Sequence, residues 1–265
     1  MADLGAITAD VLAEHDDLRA MLVGIPEADW ERPTPAAGWS IRDQLSHLAF
    51  FDGAALLSMV DPDAFRAALA EAMGDIEKFV AATLSFGQGI PGAELLDRFT
   101  EERRSLVEAA RAMPDGARIP WYGPDMSVAS SITARIMETW AHGQDVADAL
   151  GATRPLTGRL RHVCDIGIRA RPFAYRSRRL EPPDTPLRVE LVAPDGSRWD
   201  WGPPDAADRV TGPALDFALV VTQRRLLADT ALVAEGEGAR TWIAFAQAFA
   251  GNPTSTDPAR GALPH

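Results

Sequence analysis

A carboxylate and an imidazole stand four residues apart in the segment METWAHGQDVADAL, as Glu138 and His142. Residues at positions i and i+4 share one face of a helix, so both side chains can point at the same spot. A second segment of helical character, GWSIRDQLSHLAFFD, carries His47. If its helix packs beside the first, two imidazoles and one carboxylate converge. This donor set suits a divalent metal ion that keeps an open position for water or a substrate.

Residues typical of helix ends indicate where these two helices begin and end. Ser40 has the character of an N-cap residue, and Asp43 three positions later completes a capping-box pattern at the start of the helix that carries His47. The helix with the Glu-x-x-x-His pair is predicted to span about residues 127–150, with Gly151 as its C-terminal stop. The sequence therefore places all three candidate ligands inside helices and not in loops.

Spacing alone leaves a second interpretation open, because Glu-x-x-x-His pairs are also common on ordinary solvated helix faces. Two features favour the metal. Ala134 and Ala141 are small and leave room for an ion beside the pair. Asp43 and Asp145 are available to orient the imidazoles from behind. The residues by themselves thus predict a metal site without excluding a solvated pair.

The predicted secondary structure changes near residue 155. Residues 1–155 contain amphipathic helices with short or medium connections and one additional helix after residue 61, which predicts a four-helix bundle with an inserted helix. Residues 156–252 begin with an arginine-rich helical stretch, and the following segment LRVELVAPDGSRWDW is typical of a β-hairpin. The predicted fold class is α+β: the bundle, a smaller α+β domain at 156–252, and a disordered tail at 253–265.

Composition limits the classes of partner. The chain has 38 acidic and 26 basic residues, a formal net charge of −12 and a sequence pI of about 4.8, which argues against nucleic acid as a partner. No apolar run approaches a membrane span, and the acidic N-terminus lacks the basic region of a secretion signal. The single cysteine excludes an internal disulfide. We expect a cytoplasmic protein that acts on a small molecule and has no membrane partner.

The pattern GWSIRDQLSHL, followed some ninety residues later by METWAHGQDVADALG, resembles the mycothiol-dependent maleylpyruvate isomerase superfamily, a branch of the DinB-like metal-binding helical bundles. The resemblance covers nearly the whole chain and implies a DinB-like bundle followed by a smaller domain similar to sterol-carrier proteins. The ligands of the family match His47, Glu138 and His142. The long segment between Asp61 and Gly92 departs from the isomerases proper and resembles an uncharacterised metal-binding subgroup.

The resemblance also implies a chemistry. In the resembling enzymes the metal binds a low-molecular-weight thiol, mycothiol, and activates it as the thiolate, which adds to an electrophilic carbon. Zinc is the expected metal, with nickel or iron as alternatives. The predicted activity is transfer or isomerisation of a small electrophile. Two alternatives stay open: a thiol-independent metal-dependent isomerase, cyclase or hydrolase, and a non-catalytic metal- or small-ligand-binding protein.

Position in the sequence and the resemblance indicate further candidates for substrate binding and catalysis. Trp121 and Tyr122 precede the helix with Glu138 and could line the substrate site, or form a hydrophobic plug. In the resembling isomerase an arginine of the C-terminal domain reaches the active site, and Arg224 or Arg225 is its nearest counterpart here, so these two are the candidate catalytic residues. We expect the substrate cleft between the two domains, with the metal at its floor.

Two residues with reactive side chains are expected to play no part in catalysis. Cys164 lies in a helical segment, where a lone cysteine is usually a small buried apolar residue. His15 lies among acidic residues in AEHDDL and is expected at the surface.

Overall fold

Long helices dominate the N-terminal part of the computed structural model, which describes residues 3–74 and 76–249. In chain order the helices of this part are α1 (Leu4–Leu22), α2 (Ile41–Val60), α3 (Pro62–Gly74), α4 (Ile76–Ser85), α5 (Gly92–Ala112) and α6 (Val128–Leu150). The chain divides into two units between Arg154 and Pro155. No helix within the described ranges has the length and apolar character needed to cross a lipid bilayer.

The first unit is a four-helix bundle made by α1, α2, α5 and α6. Helix α2 packs against α5 and α6, and α1 packs against the same two helices from the other side. Two apolar clusters fill the interior, one around Val11 and Leu106 and the other around Leu45 and Phe99. All four of these side chains are fully buried, as expected where each helix turns one apolar stripe inward.

A buried ion pair joins three of the bundle helices. The Nε and Nη2 atoms of Arg103 on α5 donate to the carboxylate of Asp52 on α2 at 2.6 and 3.1 Å, and Nη2 also donates to Thr139 on α6 at 2.9 Å. Burial raises the pKa of Asp52, and the charge of Arg103 opposes that effect. Removing one partner of such a pair typically costs about 3–5 kcal/mol, because the other charge stays buried and uncompensated.

The predicted helix ends are confirmed at α2 and α6. Ser40 accepts a hydrogen bond from the backbone N–H of Asp43, and the carboxylate of Asp43 accepts one from the N–H of Ser40 at 2.8 Å, which completes the capping box. Helix α6 starts after Ser127 and ends at Gly151, whose φ of 65° is left-handed. A glycine adopts that conformation without the strain that a Cβ would add.

The insertion between α2 and α5 is helical over Pro62–Gly74 (α3) and Ile76–Ser85 (α4), where the sequence predicts an additional helix, and residue 75 lies outside the described residues. The loop before α6 also contains two short strands that the sequence did not indicate, β1 (Arg118–Ile119) and β2 (Met126–Ser127), which pair antiparallel.

The second unit is α+β. It begins with α7 (Leu160–Arg169) and α8 (Arg171–Arg176) and continues with β3 (Leu187–Val192), β4 (Arg198–Trp201), β5 (Asp208–Pro213), α9 (Ala214–Val221), β6 (Val233–Glu235) and α10 (Glu237–Ile243). The strand order is β4-β3-β5-β6, with β3 and β5 parallel and the other neighbours antiparallel. The predicted hairpin is therefore β3–β4. The predicted tail at 253–265 lies outside the described residues.

The last described helix lies earlier than the sequence indicates. The sequence predicts a final helix over residues 241–250, of which residue 250 lies outside the described residues, but α10 spans Glu237–Ile243. A long-range contact explains the shift: the carboxylate of Asp208, at the start of β5, accepts a hydrogen bond from the backbone N–H of Ala239 in the first turn of α10 at 3.1 Å. An acceptor that is distant in the sequence stabilises this helix start, so local capping rules miss it.

Candidate metal centre

Helices α2 and α6 bring the three predicted ligands together. The Nε2 atom of His142 lies 3.3 Å from Oε2 of Glu138, and Nε2 of His47 lies 3.6 Å from the same oxygen. One ligand atom from each of the three residues lies within 4.8 Å of the other two. The side chains of His47, Glu138 and His142 are 18, 17 and 9% exposed, so the cluster is largely shielded but not sealed from solvent.

These separations fit a bound divalent metal. With metal–ligand bonds of about 2.0–2.1 Å, the ligand atoms of a tetrahedral site lie about 3.3–3.4 Å apart. The two measured nitrogen–oxygen distances, 3.3 and 3.6 Å, are close to that value. Three protein ligands leave a fourth position for an exchangeable group, which is the arrangement of catalytic and not of structural zinc sites.

A hydrogen-bond chain behind His142 fixes which ring nitrogen faces the cluster. Thr34 Oγ1 donates to the carbonyl of Trp39 at 2.9 Å, so it accepts from the amide nitrogen of Gln44, also at 2.9 Å. The amide oxygen of Gln44 then accepts from Nδ1 of His142. With its proton on Nδ1, a neutral His142 presents the lone pair of Nε2 toward Glu138.

The cluster consequently needs a cation. In a neutral His142 the Nε2 lone pair would face the Glu138 carboxylate, and two acceptors 3.3 Å apart repel unless a proton or a metal lies between them. Burial alone would raise the pKa of Glu138, but in the metal-free state, with a proton in that gap, hydrogen bonds from His142 and His47 and the charge of Arg135 outweigh it and hold that pKa well below its usual range. The carboxylate is therefore ionised and available as a ligand.

Aromatic rings surround the candidate ligands. The ring of Trp39 stacks on His142 with a centroid distance of 5.8 Å and also contacts His47 at 5.2 Å. On the other side Phe51 packs on His47 at 4.7 Å. These rings keep water away from most of the cluster, which strengthens electrostatic interactions within it.

The predicted substrate-wall residues lie next to this aromatic group. Tyr122 and Trp121, in the loop between β1 and β2, contact Phe51 at centroid distances of 5.6 and 6.3 Å. Trp121 also stacks on the buried ring of Phe65 at 5.8 Å, and burial raises the pKa of Tyr122 to about 12. The two residues are thus separated from His47 by one ring, and their role in substrate binding stays a prediction.

The residues that orient the imidazoles differ in part from the sequence-based expectation. Asp43 is engaged in the capping box with Ser40. Asp145 lies 3.9 Å from Nδ1 of His142, whereas Gln44, which the sequence analysis did not select, contacts that atom directly. A usable signal existed, since Gln44 precedes His47 by three positions and therefore lies on the same face of α2.

Arg135 is a second residue that the sequence analysis left unassigned. It lies one helical turn before Glu138 and is only 5% exposed. Burial lowers the pKa of this arginine, while the charges of Glu138 and Asp52 oppose the effect. A charged side chain on the buried face of a helix, three positions from a candidate ligand, was the available signal.

The two reactive side chains that were expected to be bystanders have different environments. Cys164 is fully buried, burial raises the pKa of its thiol, and its Sγ donates to the carbonyl of Ala214 at 3.7 Å, in agreement with a packing role. The expectation for His15 was wrong, because the side chain is buried and not at the surface. Its ring packs on Phe99 at 4.6 Å and Nε2 contacts Thr100 at 3.2 Å.

Arg224 and Arg225 belong to the second unit, in the turn after α9. Nη1 of Arg224 donates to the carbonyl of Thr222, and Nη1 of Arg225 donates to the carbonyl of Arg224, each at 2.7 Å. The preceding Gln223 has a backbone φ of 63°, which is uncommon for a residue other than glycine. The catalytic role expected for one of these arginines stays a prediction.

Fold and site together define a class: a four-helix bundle with two histidines and one glutamate converging from α2 and α6, followed by an α+β unit. Residues 11–147 match the family model described as the mycothiol maleylpyruvate isomerase N-terminal domain. This match spans half of the chain, and the chain belongs to that family.

Other comparisons agree with this membership. Two uncharacterised proteins from strains of Mycobacterium tuberculosis are each 47% identical over 253 residues, which cover 96% of this chain and 98% of the relative. The crystal structures of the mycothiol-dependent maleylpyruvate isomerase and of a histidine-to-alanine mutant superpose with TM-scores of 0.58 and 0.57. Both share 15% identity and cover 88% of this chain and 93% of theirs, which shows a shared fold.

The second unit has a match of its own. Residues 183–235, about a fifth of the chain, match a family model described as wyosine base formation. This segment contains β3 to β6 of the sheet and helix α9 between them.

Proposed function

We propose that this protein is a metal-dependent enzyme in which a low-molecular-weight thiol of the mycothiol type attacks a small electrophilic substrate, with isomerisation or transfer as the result. The observation that carries the proposal is the convergence of His47, Glu138 and His142 in a geometry that suits zinc and leaves a ligand position free. Membership of the isomerase family and the shared fold support the reaction class.

Different residues would bind the metal, orient its ligands and exclude water. His47, Glu138 and His142 would hold the metal, and Gln44 keeps the Nε2 lone pair of His142 directed at it. A divalent metal at this position supplies positive charge that favours the ionised form of a coordinated thiol. Trp39 and Phe51 exclude water from the imidazoles, which protects an anionic nucleophile from solvation.

An external nucleophile is consistent with the side chains of the chain itself. Its single cysteine, Cys164, is fully buried and has a raised thiol pKa, so it does not supply a thiolate at neutral pH. A thiol that binds from solution and gains its acidity from a metal does not need such a residue. Isomerisation or transfer would then be decided by which bond breaks when the thiol leaves.

The proposal is tested by metal analysis together with calorimetric titration of mycothiol. We expect about one zinc per chain in the wild type, and strong loss of zinc in His47→Ala, Glu138→Ala and His142→Ala, because two remaining protein ligands bind zinc weakly. Mycothiol should bind the zinc-loaded protein and should not bind the metal-free protein. Cys164→Ala should keep zinc and thiol binding.

Each contrary result has a definite meaning. Full zinc occupancy in all three folded ligand variants would refute the metal site. Zinc binding without any mycothiol binding would favour a thiol-independent enzyme in which the metal polarises a carbonyl. Loss of turnover in Cys164→Ala, with zinc and fold intact, would make Cys164 the nucleophile.

A further inference from the structure

Aromatic side chains form one continuous group that starts at the candidate ligand His47 and extends away from it. Phe51 packs on His47 at a centroid distance of 4.7 Å, and it contacts Tyr122 at 5.6 Å and Phe79 at 6.2 Å. Tyr122 and Phe79 contact each other at 5.2 Å. We call this group the aromatic wall, and its members, which are joined by ring contacts, are Phe50, Phe51, Phe65, Phe79, Trp121 and Tyr122.

Three separate parts of the chain supply the rings of the aromatic wall. Phe50 and Phe51 belong to α2, and the loop between β1 and β2 supplies two more rings. The insertion contributes the remaining two, Phe65 from α3 and Phe79 from α4. Both insertion helices pack against α2, which places their rings beside those of α2.

The exposure of the aromatic wall differs from that of the bundle core. Phe99, in the core of the same bundle, is fully buried. Within the wall only Phe65 is buried, and the other five rings are half-buried, so each keeps apolar surface in contact with water. Since burial of such surface is favourable, adjacent half-buried rings commonly mark the lining of a ligand site.

The orientations of the rings favour an aromatic occupant over an aliphatic one. Tyr122 meets Phe51 and Phe65 at interplanar angles of 75° and 74°, and Phe79 meets Phe51 at 81°. Nearly perpendicular rings present both electropositive edges and electronegative faces to their surroundings. A further aromatic ring can pair with either, whereas an aliphatic group gains only the burial of its surface.

Charge does not define the part of the wall that lies at Phe79 and Tyr122. Burial raises the pKa of Tyr122 to about 12, so its hydroxyl group keeps its proton at neutral pH. The guanidinium carbon of Arg135 lies over two other members, Phe51 and Trp121, at 5.7 and 5.8 Å from their centroids. Neutral probe molecules therefore separate the contribution of the rings from that of the arginine.

We propose that the aromatic wall binds an aromatic group of the electrophilic substrate, with Phe79 and Tyr122 as specificity-determining residues. This inference rests on the proposed function and adds the class of its substrate, an electrophilic carbon conjugated with an aryl ring. Because the wall begins at His47, a substrate whose ring lies on Tyr122 and Phe79 would have its reacting carbon on the side of the metal centre. Binding of the ring would thus orient that carbon for attack.

The test compares two neutral enones that share the same electrophilic carbon, 4-phenyl-3-buten-2-one and 3-penten-2-one, in which a phenyl group is replaced by a methyl group. Calorimetric titration of zinc-loaded protein without thiol measures binding alone. We expect the wild type to bind the phenyl compound at least about tenfold more tightly than the methyl compound. Phe79→Leu and Tyr122→Leu should each lower this ratio at least about threefold. Tyr122→Phe, which restores the ring, should recover the ratio lost in Tyr122→Leu.

A matched control replaces another half-buried phenylalanine close to the insertion. Phe86 follows α4 and packs against the apolar cluster around Leu45 and Phe99, so Phe86→Leu should keep the wild-type ratio.

Three results would overturn the inference. The first is near-equal binding of the two enones by the wild type, or binding of neither at millimolar concentration. The second is an unchanged ratio in both Phe79→Leu and Tyr122→Leu, and the third is an equal loss in Phe86→Leu. Titration of the same wild-type sample with zinc and mycothiol tests the proposed function separately, because failure to bind either would refute that function instead.

Discussion

At the scale of single residues, the candidate metal centre depends on side chains that do not touch the metal. Gln44 accepts from Nδ1 of His142 and is itself oriented by Thr34. This arrangement fixes the tautomer of His142 that can act as a ligand through Nε2. The histidine and its amide partner therefore form one functional group, although they lie 98 positions apart in the chain.

Replacement of Gln44 tests that dependence. Gln44→Leu keeps the volume of the side chain but removes the acceptor, so the Nδ1 proton is no longer fixed, and zinc affinity should fall by about 10–100-fold. Competition titration with a chelating dye measures the change. Gln44→Glu, which keeps an acceptor, should retain more of the affinity. Identical zinc affinity in Gln44→Leu and wild type would show that the hydrogen bond does not tune the ligand.

His15 is expected to make the folding stability of the protein depend on pH. Burial, reinforced by the charges of Arg103, Arg19 and Arg104, lowers its pKa from 6.5 to about 3. The unfolded chain therefore takes up this proton before the folded protein does as the pH falls. Stability from the neutral imidazole is fully present above the unfolded pKa and is lost as the pH falls from about 6.5 toward 3.

Urea unfolding of wild type and His15→Gln tests this linkage. Between about pH 7 and about pH 5 the wild type should lose about 2 kcal/mol more stability than the variant, since one proton binds only to its unfolded state. The other titrating groups contribute equally to both proteins and cancel in the comparison. Parallel pH profiles would mean that the imidazole of His15 can charge within the folded bundle.

At the scale of elements, the close packing of α5 depends on a glycine at its start. A Cβ at Gly92 would lie 2.1–2.2 Å from the indole ring of Trp30, which is 2% exposed. The carboxylate of Glu27 accepts from the N–H of Gly92 at 3.0 Å and fixes the helix start against that ring. The absence of a side chain at Gly92 is thus a packing requirement.

Two alanine substitutions separate packing from helix propensity. Gly92→Ala should destabilise the protein by about 1–3 kcal/mol, because the indole ring must move. Gly53→Ala, within α2, places its Cβ no closer than 3.5 Å from Glu102 and should stabilise by about 0.5–1 kcal/mol. Denaturant midpoints give both values. Effects of the same sign would contradict the packing argument at Gly92.

At the scale of the whole molecule, metal binding and stability should be linked. An ion that binds the folded chain and not the unfolded one stabilises by about 4 kcal/mol at a concentration a thousand times its Kd. For a chain of this size that corresponds to a rise of about 10 °C in Tm. Calorimetry of metal-free and zinc-loaded wild type should show this rise.

The matched control for this linkage is His47→Ala, which should melt at the same temperature with and without zinc. A rise in that variant equal to the wild-type rise would place the stabilising ion elsewhere.

The sequence by itself determined the features that depend on neighbours along the chain. The capping box at Ser40, the glycine stop at Gly151 and the shared face of Glu138 and His142 follow from helical periodicity and local hydrogen bonds. The pairing of β3 with β4 was predictable for the same reason, because a short turn connects the two strands. The family was recognised from two such local motifs.

Only the tertiary structure decided which distant groups meet. His15 sits among acidic residues in the sequence but is buried against Phe99, since the helix turns that side of its surface toward α5. Gln44 meets His142 through a contact between α2 and α6. Burial and pairing of charges depend on how helices pack, and no periodicity within one helix specifies which residue of another helix it will face.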